Sequence, residues 1–265
     1  MTLPPEDPSG PARPLRPKKA QSERRRESMA LILDKAEGVF AEKGYNVPLV
    51  EIGADPALMR YYFGDKEELF RAVFARRGAM INELRLKALT DYRRQGDKMT
   101  LEGVIDAFVR SPFEKMHEDE GWRNYMAIVS FVNSSRGILH TLMSETFDHV
   151  SQELIADMQR LLPDATEDDI YWGYHFLTGS FTFSLGETGR IDKLSGGRVS
   201  SRDVLEIANR LPIVIAAGIR AMCEASAQRR STSPSETRPS RRMKPRQTRA
   251  SPASRSKRRV TRPDC

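Results

Sequence analysis

The sequence has few of the features that mark exported, disulfide-bonded or membrane-spanning proteins. Only two of its 265 residues are cysteines, Cys223 and Cys265, which is too few for a disulfide framework. It has no run of about 18 apolar residues, so no membrane span is expected. Residues 1–20 lack the apolar stretch of a secretion signal. We therefore expect a protein of the reducing cytoplasm with no membrane partner.

Motifs of catalysis and of cofactor binding are equally scarce. We find no phosphate-cradling glycine loop, no nucleophile elbow and no HExxH zinc motif. Glu145 and His149 have a spacing that can bind a metal, but no third ligand is indicated. His140 and His175 lie among apolar residues, which is typical of structural histidines. We therefore expect no catalytic residue, no metal and no cofactor, and an enzyme is the least supported class.

Charge is distributed unevenly along the chain. Residues 229–265 carry 13 basic and 2 acidic residues, a net of +11, and residues 24–94 carry 14 and 11, a net of +3. Residues 95–228 carry 12 basic and 20 acidic residues, a net of −8. This pattern predicts basic extensions on an acidic body, and it argues against a uniform coat for nucleic acid.

Both ends of the chain lack apolar periodicity. Their composition predicts a disordered basic arm over residues 1–21 and a disordered basic tail over residues 228–265. Each Lys or Arg near a phosphate adds attraction that depends on salt and not on sequence. The tail therefore either holds the protein near DNA or is a solvated extension with no partner, and the sequence favours neither alternative.

Between these ends the pattern is helical, which predicts an all-α fold. Apolar residues recur at three- and four-residue steps from Met29 to Phe40, and Gly44 is positioned to end that helix. Asp65 can cap the long helix that follows. Later helices are predicted near residues 100–113, 120–134, 137–162, 166–189 and 201–226.

The last two predicted helices are apolar nearly all round. Such helices must be covered on several sides, so they are either central to the fold or part of a subunit contact. Together they can form half of a four-helix dimer interface. Pro212 should kink the last helix or begin a new segment.

The stretch "ADPALMRYYF" has the pattern of a recognition helix in a helix-turn-helix. Asp55 is a suitable N-cap and Pro56 a suitable first helical residue. Further side chains are positioned to reach phosphates or the minor groove, namely Arg60, Tyr61, Tyr62, Lys66 and the run Arg24, Arg25 and Arg26.

Two strings in this region are specific enough to indicate a family. "ILDKAEGVFAEKGY" in the first helix and "DPALMRYYFGDKEELF" in the recognition helix and its successor resemble the DNA-binding domain of TetR family transcriptional regulators. Further on, "SFTFSLGETGRIDKLS" is similar to the end of the penultimate helix in many members. The resemblance covers about residues 24–226, strongly in the first third and weakly afterwards.

This resemblance implies a domain organisation and a mode of action. It implies an N-terminal three-helix helix-turn-helix domain over residues 22–65 and a C-terminal helical ligand-binding and dimerisation domain over residues 66–227. Members are homodimers that bind double-stranded DNA, and a small-molecule effector releases the DNA by changing the spacing of the two heads. We expect a repressor whose base contacts are Pro56, Ala57 and Arg60, with Tyr61, Tyr62, Lys66 and the run Arg24–Arg26 on phosphates.

The support helix departs from the family pattern. That pattern places about 14 residues between the Gly-Tyr pair and the cap of the recognition helix, whereas "NVPLVEIGA" leaves nine between Tyr45 and Asp55. Most of the missing residues would fall after Ile52, and losing about four there removes roughly one helical turn, or about 6 Å of rise. Val50 and Ile52 should still pack inward.

Two outcomes of this shortening are open. Leu58, Met59 and Phe63 can hold the recognition helix in place over a support segment reduced to a turn. Otherwise the head is skewed and specific DNA binding is weak or lost. The second outcome predicts a small-molecule-binding or scaffold dimer that no longer recognises a DNA sequence.

The acidic central region carries aromatic and methionine residues at helical spacings, a pattern that is usually plain core. A domain like that of the family would use part of it to line a pocket for an apolar or aromatic effector. The candidate ligand contacts are Trp122, Met126, Phe131, Met143, Phe147, Tyr171 and His175.

Overall fold

A computed structural model of the chain describes residues 18–232, with side chains from residue 22 onward. Residues 1–17 and 233–265, which include most of the predicted arm and tail, lie outside the described residues. Over the described range the fold is all-α and has no strand, as the sequence predicted. None of the helices within that range is long and apolar enough to span a lipid bilayer.

Nine α-helices follow one another within residues 18–232, and two 3-10 turns, Leu49–Ile52 and Gly96–Lys98, interrupt the connections. In chain order the helices are α1 (Lys18–Lys43), α2 (Pro56–Phe63), α3 (Lys66–Arg93), α4 (Leu101–Glu118), α5 (Glu120–Asn133), α6 (Ile138–Leu161), α7 (Glu167–Leu185), α8 (Arg190–Leu194) and α9 (Val204–Thr232).

Side-chain caps fix where several of these helices begin. The Asp65 carboxylate accepts a hydrogen bond of 2.9 Å from the Glu68 N–H, which confirms the cap predicted for α3. Thr100 and Asp119 cap α4 and α5 in the same way. Each cap satisfies a backbone donor that has no partner inside the helix.

Three predicted boundaries are wrong by a few residues. Helix α1 begins at Lys18, inside the segment 1–21 that was predicted to be an arm, because Lys, Lys, Ala and Gln are all good helix formers. Helix α9 extends to Thr232, inside the predicted tail 228–265, because no glycine or proline interrupts the chain between Gly218 and Pro234. The predicted helix 166–189 ends at Leu185, and the short α8 follows separately.

Pro212 does not begin a new segment. It lies inside α9, is buried, and the helix continues on both sides of it. Pro112 is likewise buried inside α4. These two helices pack extensively against each other, so tertiary contacts offset the backbone hydrogen bonds that the prolines cannot donate.

We call α1, the Leu49–Ile52 turn and α2 the head, and α4 to α9 the body. Helix α3 belongs to both, since its 28 residues extend from the head through the body over about 42 Å. The buried Glu37 of α1 accepts hydrogen bonds from Arg76 and Arg77 of α3, which fixes the head to that helix. One hydrophobic core is continuous from head to body, so the domain boundary between residues 65 and 66 stays a prediction.

Candidate DNA-binding surface and ligand cavity

The outer face of α2 is exposed and its start is well ordered by a cap. Asp55 accepts a hydrogen bond of 2.8 Å from the Ala57 N–H, and Pro56 occupies the first helical position. Pro56, Ala57, Arg60 and Tyr61 line one shallow concave surface. This arrangement leaves the first turn of α2 free to contact another molecule.

Aromatic contacts connect this face to the arginine run of α1. The Arg25 guanidinium lies 5.9 Å from the centre of the Tyr62 ring, and Tyr62 meets Tyr61 edge-on at 5.0 Å. Arg24 and Arg26 are exposed. The structure thus brings Arg25 together with the candidate contacts of α2, although their role in DNA binding stays a prediction.

Lys66 occupies a more internal position than the other candidates. Its Nζ donates to the Val47 carbonyl at 3.4 Å and lies 4.7 Å from the centre of the Tyr45 ring. The ammonium therefore stabilises the loop between α1 and α2. Reaching a phosphate would require it to exchange or share these contacts.

The support segment is a four-residue 3-10 turn, which is the first of the two outcomes left open by the sequence. Ile52 is buried, but Val50 is 73% exposed, so the expectation that both pack inward is wrong for Val50. With three residues per turn, positions two apart face different directions. Met59 is buried and Phe63 packs on the core, whereas Leu58 is exposed and does not anchor α2.

Ionic contacts from α1 hold this turn. Lys35 donates to the Gly53 carbonyl at 2.7 Å, and Lys43 pairs with Glu51 at 2.6 Å. The hydrogen bond to Glu51 raises the pKa of Lys43 above its usual value. Gly53 ends the turn with a φ of 65°, a left-handed conformation that favours glycine.

A cavity of about 450 Å³ lies in the body, within the range typical of small-molecule sites. Its walls come from α3, α4, α5, α6 and α7. Of the candidate ligand contacts, those that line it are Met126, Met143, Phe147, Tyr171 and His175. The exposed part of the lining lies on α6 and α7, so the opening is between these helices; its residues are His140, Asp148, Tyr171, His175 and Gly179.

Trp122 and Phe131 do not line this cavity. Trp122 is buried beneath the Arg77 guanidinium, which lies 4.6 Å from the centre of its ring. Phe131 is partly exposed and packs near Gly44 at the end of α1. Both residues are on α5, where a one-residue step along the helix changes the face by about 100°.

Sequence reasoning missed the buried cation of the cavity. Arg85 of α3 is buried, lines the cavity, and donates from Nε to the Phe108 carbonyl at 3.0 Å. Burial lowers the pKa of Arg85 to about 10, so the side chain is still charged at neutral pH. The available signal was its spacing, since Arg85 lies four residues from Ile81 and from Leu89 on the buried side of α3.

The surface of the body has an apolar face formed by two helices. On α7, Trp172, Phe176 and Phe183 are each more than half exposed, and Trp172 stacks on Phe176 with ring centres 6.0 Å apart. On α9, Ile213 and Val214 are exposed to a similar degree. These two helices pack against each other, so their exposed side chains belong to one region of the surface.

Glu145 and His149, whose spacing can bind a metal, do not lie in a metal site. Glu145 pairs with Arg71 of α3 at 3.0 Å, and His149 is exposed. Within the described part of the chain, no three His, Cys, Asp or Glu side chains are grouped so that they could hold a metal ion.

Comparison with known proteins identifies the body. Residues 106–218 match the family model described as tetracyclin repressor-like, C-terminal domain. No curated protein sequence matches the chain.

Two solved structures are similar at low identity. A candidate transcriptional regulator from Rhodococcus sp. RHA1 is 19% identical over 72% of this chain and 94% of its own, with a TM-score of 0.41. RolR in complex with its ligand resorcinol is 17% identical over 76% of this chain and 95% of its own, with a TM-score of 0.40. Scores of this size carry no inference about the ligand or the DNA site of this chain.

Proposed function

We propose that the chain is a TetR family transcriptional regulator, since residues 106–218 match the tetracyclin repressor-like C-terminal domain, and that it is a ligand-responsive repressor acting as a homodimer. Each subunit presents α2 to the major groove of double-stranded DNA, and a small-molecule effector occupies the cavity of the body. The proposed repressor acts in the cytoplasm and requires no cofactor.

The observation that carries the DNA-binding part of this proposal is the exposed first turn of α2. Its cap at Asp55 leaves the N-terminal end of the helix regular, and Arg60 and Tyr61 extend from it into solvent. In a helix-turn-helix, the first residues of the recognition helix contact base edges while flanking basic groups contact phosphates. Arg60 is the candidate base contact. Arg25 is the flanking cation that the rings of Tyr62 and Tyr61 connect to this face.

The apolar face of α7 and α9 supports the homodimer. Trp172, Phe176, Phe183, Ile213 and Val214 would all be removed from water by a second copy of the same face. A twofold contact of this kind is self-complementary and is the commonest form of homodimer. A dimer places two α2 helices on the same side of a duplex, which matches a palindromic DNA site.

Contacts between α6 and α3 support the ligand response. Helix α6 contributes Met143 and Phe147 to the cavity. On its other side Glu145 pairs with Arg71 at 3.0 Å, and the Thr146 carbonyl accepts a hydrogen bond of 2.6 Å from Asn82. A ligand that moves α6 therefore acts on α3, which is separated from the end of α2 by only two residues.

The test is selection of bound fragments from random and genomic DNA with the full-length protein at two salt concentrations. We expect a palindromic motif with half-sites about one helical turn apart, enriched more strongly at the higher salt because non-specific binding weakens there. Recovery of DNA without any common motif at both salt concentrations would overturn the repressor proposal.

The four-residue support turn favours a second candidate, a small-molecule-binding dimer with weakened or lost sequence-specific DNA binding. A full support helix normally fixes the angle of the recognition helix, and here only the turn and its contacts to Lys35 and Lys43 do so. Ligand binding to a dimer that selects no DNA motif would establish this candidate.

A further inference from the structure

Arg85 is a buried cation without an anionic partner. It is 5% exposed, and among the residues that the structure describes no carboxylate lies within ion-pair distance of it. Its hydrogen bond to the Phe108 carbonyl uses one of the five N–H donors of a guanidinium. A buried charge is costly unless it is paired and hydrogen-bonded, so the remaining donors call for an acceptor that residues 18–232 do not supply.

Aromatic rings surround this cation and form the apolar part of the site. The guanidinium lies 4.2 Å from the ring centre of Phe108, 5.3 Å from that of Phe181 and 5.7 Å from that of Phe147. Contact with ring faces offsets part of the desolvation cost, but it satisfies no N–H donor. All three rings line the cavity.

A second buried donor lines the same cavity. The Tyr125 hydroxyl is fully buried and has no hydrogen-bond partner within the described residues. Burial raises its pKa above the usual value, so it stays protonated at neutral pH and retains a proton to donate. Its oxygen is closed off from the cavity, so the Arg85 guanidinium is the donor that a ligand carboxylate can reach.

The acidic groups near the cavity do not fill this role. Asp148 is the carboxylate of the lining, but it is exposed on α6 at the opening. Tyr174 donates its hydroxyl proton to the Ser151 Oγ at 2.8 Å and leaves the guanidinium unpaired. The deep end of the cavity is therefore positive and apolar.

We propose that the cavity binds a small organic acid, with its carboxylate on Arg85 and an aromatic or apolar body against Phe147, Met126 and Phe181. This rests on the proposed function only in taking the cavity as the effector site. A volume of about 450 Å³ accommodates an acid with one or two rings.

The experiment compares matched pairs of acids and their neutral amides, namely benzoate with benzamide, 1-naphthoate with 1-naphthamide and 2-naphthoate with 2-naphthamide. Dissociation constants are measured by titration calorimetry on the full-length protein at neutral pH. We expect at least one acid to bind about tenfold to a hundredfold more tightly than its amide, as hydrogen bonds to a charged group imply. If no acid is preferred over its amide, the inference is wrong.

Substitutions test whether Arg85 causes the preference for the acid over its amide. In Arg85→Gln the ratio between acid and amide should fall to about one while the amide still binds, and Tyr125→Phe, which leaves the guanidinium in place, should retain the preference for the acid. The control is Arg198→Gln, which removes an exposed charge outside the cavity and should leave the ratio unchanged. An acid preference that survives Arg85→Gln would overturn the inference, as would its loss in the control.

Two further measurements keep the outcomes distinct. Circular dichroism melting reports whether Arg85→Gln is folded. If it is not, the ratio between acid and amide affinities in wild type and in Arg85→Lys decides whether Arg85 holds the carboxylate. Release of selected DNA by the preferred acid is measured separately. An acid that binds with the expected ratio and does not release DNA leaves this inference intact and contradicts the ligand-responsive repressor.

Discussion

The ring of Phe147, on the cavity wall, meets the ring of Phe74 edge-on with centres 5.7 Å apart. Phe74 stacks on Phe70 at 6.4 Å, and Phe70 contacts both Phe40 and Tyr45 at about 5 Å. A row of packed rings therefore extends from the cavity to the end of α1, where the support turn begins. Packed rings of this kind move together because the interior has little free volume.

Replacing the central ring should weaken the ligand response. In Phe74→Leu we expect the effector-induced loss of DNA affinity to shrink by about threefold to thirtyfold, with ligand and DNA affinities measured separately close to wild type. The measurement is a DNA binding titration with and without the acid that binds best. Phe113→Leu removes an equally buried ring that contacts Phe181 and not the head, so it should leave the response unchanged.

Arg60 should carry specific DNA affinity. We expect Arg60→Ala to weaken binding to the selected site about tenfold or more and to relax the sequence preference at one base pair of each half-site. Arg94→Ala, at the other end of α3 from the head, is the matched control and should bind the site like wild type. Equal affinities of the two variants would show that α2 does not contact bases.

Gly53 and Gly38 should respond to alanine in opposite directions. Neither position has an atom within 4 Å of an added Cβ, so the effect of alanine on stability depends on backbone conformation alone. Gly53 has a φ of 65°, and Gly53→Ala should lower the free energy of unfolding by about 1 kcal/mol. Gly38 lies in α1, and Gly38→Ala should raise it by about 0.5–1 kcal/mol. Urea denaturation of both variants measures the difference.

The apolar face should determine the oligomeric state. Wild-type protein is expected at twice the chain mass of 30.0 kDa in light scattering, and Ile213→Glu should shift it to the monomer, since a buried unpaired charge opposes association. Val50→Glu places the same charge at an equally exposed position of the head and should stay dimeric. A dimeric Ile213→Glu variant would place the subunit contact elsewhere.

Acid should remove the stabilisation contributed by Asp169. Burial acts to raise the pKa of this carboxyl, but hydrogen bonds from Thr166, Ser226 and Arg230 outweigh it and lower the pKa to about 2. The folded state thus favours the ionised form, whose stabilisation is complete above the ordinary pKa and is lost as the pH falls through about 2.

Asp169→Ala should therefore lower the free energy of unfolding by about 1–2 kcal/mol at neutral pH. The difference from wild type should shrink below about pH 4. Asp168→Ala, in the same turn of α7 and exposed, should change stability by roughly 0.5 kcal/mol or less. Urea denaturation across pH measures both variants. If the difference in the free energy of unfolding between Asp169→Ala and wild type grew in acid, the expected direction of the pH dependence would be wrong.

Local chemistry made the helices predictable. Caps such as Asp55 and Asp65 act within four residues, so their effect can be inferred from the string that contains them. The missing residues before Asp55 likewise indicated a shortened support segment. Boundaries at Lys18 and Thr232 shifted because composition alone does not separate a solvated helix end from coil.

The cavity was less predictable because its walls meet only in three dimensions. Periodicity places Phe131 and Met126 on a helix, yet it does not say which of several neighbouring helices each side chain faces. Arg85 was missed for a related reason, since its spacing from Ile81 and Leu89 places it on the buried side of α3 but does not show that a cavity lies there. Only the arrangement of α4, α6 and α7 around the guanidinium encloses it.

Since α3 carries Arg85 at one point and begins beside α2 at Lys66, it acts as a rigid lever with an arm of roughly 28 Å. A tilt of about 4° around the carboxylate site displaces the other end by roughly 2 Å over that arm. In the proposed twofold dimer both α3 helices tilt, so the distance between the two α2 helices changes by up to twice that amount. In the proposed homodimer, a ligand a few ångströms across would be sufficient to put the two α2 helices out of step with the pitch of DNA.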